Sequence, residues 1–345
     1  MGRGPDSSHF RVLHEDFVQG TLTCLKQSTI KQEVNTDFPL ILNIEPTNRC
    51  NLRCVYCPRT KAKKGIGDMH WELYTKIIDE ASHYKPLIML NFHKDGESFL
   101  HPRFLDMIKY ARDKKVAKTI HLNTNAICWS ENVIAGILKS GLDDITVSLD
   151  AARPETYKRH KGFNYLEKVE KNVKLFFKMR EQLGTAKPFV KVKMMDFDEI
   201  PPGEIDEFYK KWENIADLVQ ITGIHNWSGA ISGLKVTDET SQVRYPCVIM
   251  WYSLVVNWNG EVTVCSVDWD TEINVGDANR QTLHEIWNGS KIRDARSSQI
   301  EGEYGKYAVC KDCVVWVSIG DLTDWLKKET QFYRETSDDR TKQKI

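Results

Sequence analysis

Cys50, Cys54 and Cys57 fall within eight residues of "NRCNLRCVYCPR", and Cys247, Cys265, Cys310 and Cys313 recur near the C-terminal end, leaving Cys24 and Cys128 as singles. Cysteine thiolates are soft donors that suit zinc, copper(I) or iron-sulfur clusters, and spacing with ligand number chooses among them. Four thiols ending in C-x2-C could close a structural zinc site as readily as they could hold a cluster. Three thiols in C-x3-C-x2-C leave one position open, because no nearby His or Asp is spaced to fill it; the nearest His is His70. A four-iron cubane on three cysteines keeps one iron free to bind a small molecule through amino and carboxylate groups. That opening would be an active site.

The elements that position these thiols can be read from the alternation of apolar runs. Six strands are expected, "PLILNIE" (39 to 45), "LIMLNF" (87 to 92), "KTIHLNT" (118 to 124), "DITVSLD" (144 to 150), "FVKVKMM" (189 to 195) and "DLVQITG" (217 to 223). Between them, apolar residues recur at three- and four-residue spacing, as in Leu73, Ile77, Ile78 and Ala81 or Leu166, Val169, Val173 and Phe176. Six βα units imply a parallel sheet whose carboxyl-end loops carry the chemistry. The first cysteine group follows strand one, "KDGE" follows strand two, "NTNA" closes strand three and "SLD" closes strand four. Four unusual loops gather on one rim.

After about residue 224 the alternation stops. "LVVNWNGEVTVC" (254 to 265) reads as a hairpin around Asn259-Gly260, with Cys265 just beyond it. Thr282 with Glu285 forms a capping box for a short helix ending at Gly289, and the chain then reaches "CKDC". The expected organisation is an N-terminal arm (1–37), a partial (β/α)6 barrel (38–228), a small cysteine-rich domain with a β-hairpin (229–320) and a C-terminal helix and polar tail (321–345). The small domain reads as poor in aliphatic core and held together by metal.

Composition bounds the rest. At 345 residues, 28% charged and 41% hydrophobic, the profile is that of an ordinary globular chain. Apolar runs such as "VVWV" are far shorter than the roughly 18 residues of a membrane span, and the N-terminus lacks a signal-peptide core, so a cytoplasmic, membrane-free protein is expected. Lys and Arg balance Asp and Glu at 48 each, which gives no net field for nucleic acid. Nine cysteines without an export signal argue against a disulfide framework.

The C-x3-C-x2-C group after strand one of a six-unit βα barrel, with Tyr56 before its last Cys, resembles the radical S-adenosylmethionine (radical SAM) superfamily over residues 39 to about 224. The resemblance implies a 4Fe-4S cluster on Cys50, Cys54 and Cys57 whose open iron chelates SAM, which one electron cleaves to a 5'-deoxyadenosyl radical. "DGES" (Asp95, Gly96, Glu97, Ser98) stands where the family has G-G-E-P and would hold the SAM amino group. Ser148 and Asp150 match the strand-four residues that reach its ribose and carboxylate. "NTNA", with Asn123 and Asn125, resembles the family's T-N-G, Ala126 replacing the Gly. Cys247, Cys265, Cys310 and Cys313 are similar to the SPASM/twitch extension of the superfamily, and imply one auxiliary 4Fe-4S cluster fully ligated by protein.

A closed second cluster suits electron transfer and favours oxidation, so the resemblance implies a dehydrogenase that turns a secondary alcohol into a ketone, supplied by an external donor such as flavodoxin or ferredoxin. Only about 37 residues precede strand one, which favours a polar small molecule (sugar, nucleotide sugar or aminocyclitol) over a peptide. His225, Asn226 and Trp227 of "GIHNWSG" are candidate carbohydrate contacts, and His225 a candidate base. Glu45, His93, Lys191 and Lys193, on or at the ends of strands, compete for that role. Cys128 raises a second chemistry, epimerisation, in which its thiol returns a hydrogen atom. Peptide modification, and a non-enzymatic role as a zinc-stabilised binding protein, compete with both.

Overall fold

The computed structural model describes residues 30, 31, 34, 37–196, 200–223, 227–231, 244–316, 321–324 and 326. Six parallel strands, β1 (Ile41–Ile44), β2 (Leu87–Phe92), β3 (Ala117–Thr124), β4 (Asp144–Ser148), β5 (Phe189–Asp196) and β6 (Leu218–Gly223), lie side by side in sequence order. The connecting helices are α1 (Trp71–Ala81), α2 (Phe104–Asp113), α3 (Glu131–Lys139), α4 (Pro154–Lys161) with α5 (Leu166–Gln182), and α6 (Glu204–Trp212). Each turns its apolar stripe inward; in α1 the buried residues are Leu73, Tyr74, Ile77, Ile78 and Ala81. This is the partial (β/α)6 barrel expected from the sequence.

Alternation along the strands divides the sheet chemically. Leu42, Ile44, Leu90, Phe92, Ile120, Leu122, Ile145, Val147, Val190 and Val192 are all buried in the hydrophobic core. The opposite parity is polar. Asn43 lies opposite Asn91, Asn91 opposite His121, Asn123 opposite Thr146, Thr146 opposite Lys191, and Lys193 opposite Gln220. Successive side chains of a strand point to opposite faces, so these residues share one face across six strands. Parallel sheets are ordinarily apolar on both sides. A polar inner face implies a polar occupant.

The sheet does not stop at β1. β7 (Ser253–Val256) pairs parallel with β1, and β8 (Glu261–Thr263) and β9 (Gly276–Asp277) extend it antiparallel, giving the order β6-β5-β4-β3-β2-β1-β7-β8-β9. The hairpin turns at Gly260, whose φ of 91° is left-handed. The cysteine-rich region is therefore not poor in core: Val248, Ile249, Met250, Trp251, Leu254, Val262, Leu283, Ile286 and Trp287 join the cluster that contains the barrel strands. Shared ladder bonds and this continuous apolar packing join the region to the barrel. The capping box opens α7 (Leu283–Trp287), with Thr282 accepting from the Glu285 N–H and Glu285 from the Thr282 N–H. Beyond Gly289 runs an unexpected helix, α8 (Ser290–Ile300), followed by α9 (Ala308–Lys311). Among the described residues no helix is long and apolar enough to cross a membrane.

Candidate active site

The loop after β1 is folded back on itself by its own polar residues. Asn48 Nδ2 donates to the Gly65 carbonyl at 2.7 Å and its Oδ1 accepts from the Gly67 N–H at 2.9 Å, while Thr47 Oγ1 donates to the Gly67 carbonyl at 2.9 Å. Cys50, Cys54 and Cys57 lie in the arc so closed. The arc is pinned to the end of α4 by the Arg53 and Val55 N–H groups, which donate to the carbonyls of Lys161 and His160. Burial pushes the Cys50 thiol up to about 11, the Cys57 thiol up to about 12 and Cys54 up as well, and charge on Cys54 raises the other two further. Three gathered thiols that resist ionisation suit a cationic iron cluster, which supplies the positive charge their thiolates lack.

The loop after β2 passes directly beneath this arc. A Cβ on Gly96 would lie 2.0 Å from the Thr47 carbonyl oxygen and 2.8 Å from that of Arg49, so only glycine permits the crossing. Beside it, the Glu97 N–H donates to the Arg49 carbonyl at 2.8 Å. The buried Glu97 carboxylate accepts from Thr124 Oγ1 at 2.8 Å and the Asn125 N–H at 2.7 Å, and burial holds its pKa above the ordinary range. Asn125 Nδ2 donates to Asn51 Oδ1 at 2.7 Å, and Asn51 Nδ2 contacts the Cys128 sulfur at 3.4 Å. Cys128 thus stands behind the cluster loop, its thiol raised by burial and then by Glu97.

Asp95 and Glu45 are bound into an ion network. Lys64 Nζ reaches Asp95 at 2.6 Å and Glu45 at 3.3 Å, and Lys94 Nζ reaches Asp95 at 3.0 Å. Glu45 also accepts from the N–H groups of Asp95 and Trp258. Burial pushes the Asp95 carboxyl up, but Lys94 and Lys64 outweigh it and hold it below the usual range. Both oxygens of Glu45 are therefore engaged by Lys64 and by backbone N–H groups.

At the β4 end, Asp150 adopts a left-handed φ of 63°. Its carboxylate accepts from the Tyr56 hydroxyl at 2.9 Å, from the Met195 N–H at 3.0 Å and from Lys161 Nζ. Burial raises this carboxyl and Lys161 with Lys193 more than reverse the effect. Lys161 also donates to the Ser148 carbonyl at 3.0 Å. The sequence reading missed Lys161, since "YKRHK" on a charged helix reads as a solvated face. Its one signal is its place eleven residues beyond Asp150, at the end of the helix that follows the same loop.

Among the described residues, the polar face below the rim carries groups with no partner. Asn123 Oδ1 and Nδ2, Asn91 Oδ1, His121 Nε2 and Gln220 Oε1 are buried there without a hydrogen bond. Asp144 bonds His121 Nδ1 and is itself 3.0 Å from Lys191 Nζ. Lys193 is partly buried; burial lowers its pKa, Asp150 opposes this, and Lys161 and Lys191 add to it. Burial and the nearby Lys193 charge hold His93 neutral, lowered to about 3. Trp227 has a left-handed φ of 50°, and His225, Asn226 and Cys24 lie outside the described residues.

The second thiol group converges from three segments. Cys247 precedes the turn of helix Val248–Trp251, Cys265 follows β8, and Cys310 and Cys313 flank the end of α9. Burial raises Cys247 to about 12 and raises Cys265 and Cys310 strongly; each is raised further by other members of the group. Four thiols gathered from three segments, the number that closes every iron of one cluster to protein, fit a fully ligated cluster. Among the described residues no three His, Cys, Asp or Glu side chains converge as ligands of a single ion.

The radical SAM superfamily model matches residues 44–211, and the model of an iron-sulfur cluster-binding domain (SPASM) matches residues 247–314. Over 329 residues the chain is 30% identical to the tungsten-containing aldehyde ferredoxin oxidoreductase cofactor-modifying protein of Pyrococcus furiosus, covering 83% of this chain and 89% of that protein. This chain belongs to the radical SAM superfamily. Its cofactors are SAM with a 4Fe-4S cluster, and auxiliary iron-sulfur in the SPASM domain. This radical SAM protein is also 22% identical over 275 residues to the S-adenosyl-L-methionine-dependent 2-deoxy-scyllo-inosamine dehydrogenase of Niallia circulans, covering 79% of this chain and 92% of that one. The same fold occurs in BtrN in complex with AdoMet and 2-DOIA (TM-score 0.54, 18% identity, 80% and 93% of the two chains) and in Streptococcus suis SuiB bound to precursor peptide SuiA (TM-score 0.62, 14% identity, 87% and 75%).

Proposed function

We propose that this radical SAM enzyme oxidises a hydroxyl-bearing carbon of a polar small molecule, such as a sugar, nucleotide sugar or aminocyclitol, seated on the polar face of the barrel. The observation that carries this reading is the set of buried, unpartnered polar atoms on Asn91, His121, Asn123 and Gln220. Each is an acceptor or donor that burial makes costly to leave empty, and a ring of hydroxyls satisfies both kinds. When bound, SAM with its cluster supplies a hydrogen-abstracting radical, and the auxiliary cluster a sink for one electron.

The chain's residues divide the remaining work. Cys50, Cys54 and Cys57 hold the first cluster, and Cys247, Cys265, Cys310 and Cys313 the second. Glu97, with the backbone at Asp95 and Gly96, takes the SAM amino group, while Tyr56, Asn123, Asn125, Ser148 and Asp150 border the rest of it. Lys193 accepts the hydroxyl proton, because its lowered pKa brings the free amine closer to working pH. His93 stays neutral beside it and contacts substrate together with Asn226 and Trp227. The setting is the cytoplasm, with flavodoxin or ferredoxin as donor.

Cys128 supports the runner-up, epimerisation, and the name of the Pyrococcus relative supports a cofactor-type small molecule as the substrate. Mass spectrometry with SAM and a reductant decides: 5'-deoxyadenosine with a product lighter by two hydrogens is the expected result. An isobaric product that has taken up solvent deuterium means epimerisation and sinks the oxidation.

A further inference from the structure

One charge beside the second thiol group belongs to no ion pair among the described residues. Arg244 donates from one terminal nitrogen to the Cys310 carbonyl at 2.6 Å and from the other to the Lys311 carbonyl at 2.8 Å. Its guanidinium stacks 4.3 Å from the Tyr304 ring centroid, and its Nε is buried without a hydrogen-bond partner. A buried anion also lies beside the group: Asp268 accepts from Thr263 Oγ1 at 2.6 Å and from the Glu272 and Ile273 N–H groups, and its own N–H donates to the Cys265 carbonyl at 3.2 Å.

We infer that Arg244 sets the electron affinity of the auxiliary site. A cluster that accepts one electron gains one negative charge, and a fixed cation in a buried setting stabilises that reduced form more than the oxidised one. Carbonyl bonds and ring stacking hold the guanidinium in place, so the stabilisation costs no reorganisation on reduction. Asp268 acts with the opposite sign. Arg244 is a positioning residue for charge: its guanidinium is held by the carbonyls of Cys310 and Lys311, beside the thiols and not among them.

The inference rests on the four thiols holding the auxiliary cluster. Full-length holoprotein is titrated electrochemically with EPR detection, and added SAM marks the signal of the cluster with an open iron, leaving the other as auxiliary. Arg244→Gln should shift the one-electron equilibrium of the auxiliary signal toward the oxidised form by about tenfold, which is about 59 mV for a one-electron couple. Arg244→Lys, which keeps the charge, should hold the auxiliary potential near the wild-type value. Asp268→Asn should move the potential the other way, and it reads charge even if the Gln variant fails to hold iron. An unmoved potential in Arg244→Gln or in Asp268→Asn, or a Lys variant shifted as far as the Gln variant, overturns the inference. Absence of any second cluster in the wild type refutes instead the ligand assignment beneath it.

Discussion

The two cysteine groups differ less in sulfur count than in what surrounds them. The first lies in a loop that four strand ends share, and three lysines at its rim are matched: Lys64 with Glu45 and Asp95, Lys94 with Asp95, Lys161 with Asp150. The second is built from a hairpin end, a short helix and α9, packed on the barrel's own core with Arg244 beside it. One region is arranged to admit a molecule at an open position; the other is closed and biased by charge. Openness comes from the three-thiol count together with Gly96, which lets a second loop run beneath the first.

The sharpest way to break this comparison is to remove one thiol from each region. Cys57→Ala should reduce 5'-deoxyadenosine formation below detection, because the cluster that binds SAM loses a ligand. Cys310→Ala should leave reductive SAM cleavage measurable while product formation stops. Equal loss of cleavage in both variants would end the division of labour.

A smaller effect is expected from the ion network that ties the open region to the hairpin. Lys64→Met removes the cation shared by Glu45 and Asp95, whose side chains are 0% and 1% exposed. Lys94 still serves Asp95, so Glu45 is the carboxylate left uncompensated. Breaking a buried pair costs about 3–5 kcal/mol, and the surviving Lys94 contact puts this case near the lower end. Chemical denaturation of the holoprotein measures it. A stability within about 1 kcal/mol of wild type, the scale of an exposed pair, would show that the network is solvated and braces nothing.

Much of the open region was legible because its signals are local. β2 spans 87 to 92 as expected, and the period of two puts His121 and Asn123 of β3 on one face, while their alignment with Asn43 and Asn91 comes from the register. The pairing of β7 with β1 was not legible, since ladder hydrogen bonds leave no sequence pattern and the side-chain bond from Asn43 Nδ2 to Ser253 Oγ joins residues 210 apart. α8 was missed because "SKIRDARSSQI" has only a thin apolar stripe; beside Ile292 and Ala295 it buries Arg296, Ser298 and Gln299. Lys64, Lys161 and Arg244 escaped for one reason. A charged side chain reads as solvent-facing until the distant partner that offsets its desolvation is known, and those of Lys64 lie 19 and 31 residues away.

The smallest expected effect separates the regions by pH. His93 and His160, the histidines whose pKa burial lowers among the described residues, both belong to the barrel side. In the unfolded chain His93 titrates near its ordinary 6.5, whereas in the native state it stays neutral down to about 3. Below pH 6.5 the unfolded state therefore binds a proton that the native state refuses, and stability falls with falling pH across that window. The paired carboxylates Asp95 and Asp150 have lowered values, so their contribution is lost only below the ordinary carboxylate range. Between pH 6.5 and about 4.5 the difference between wild type and His93→Gln isolates the imidazole. Urea midpoints of the two proteins should converge as pH falls, the variant losing less. Parallel midpoints over that range would mean that His93 protonates freely in the native state, and with it would go the case for a dry, positively biased polar face beside Lys193.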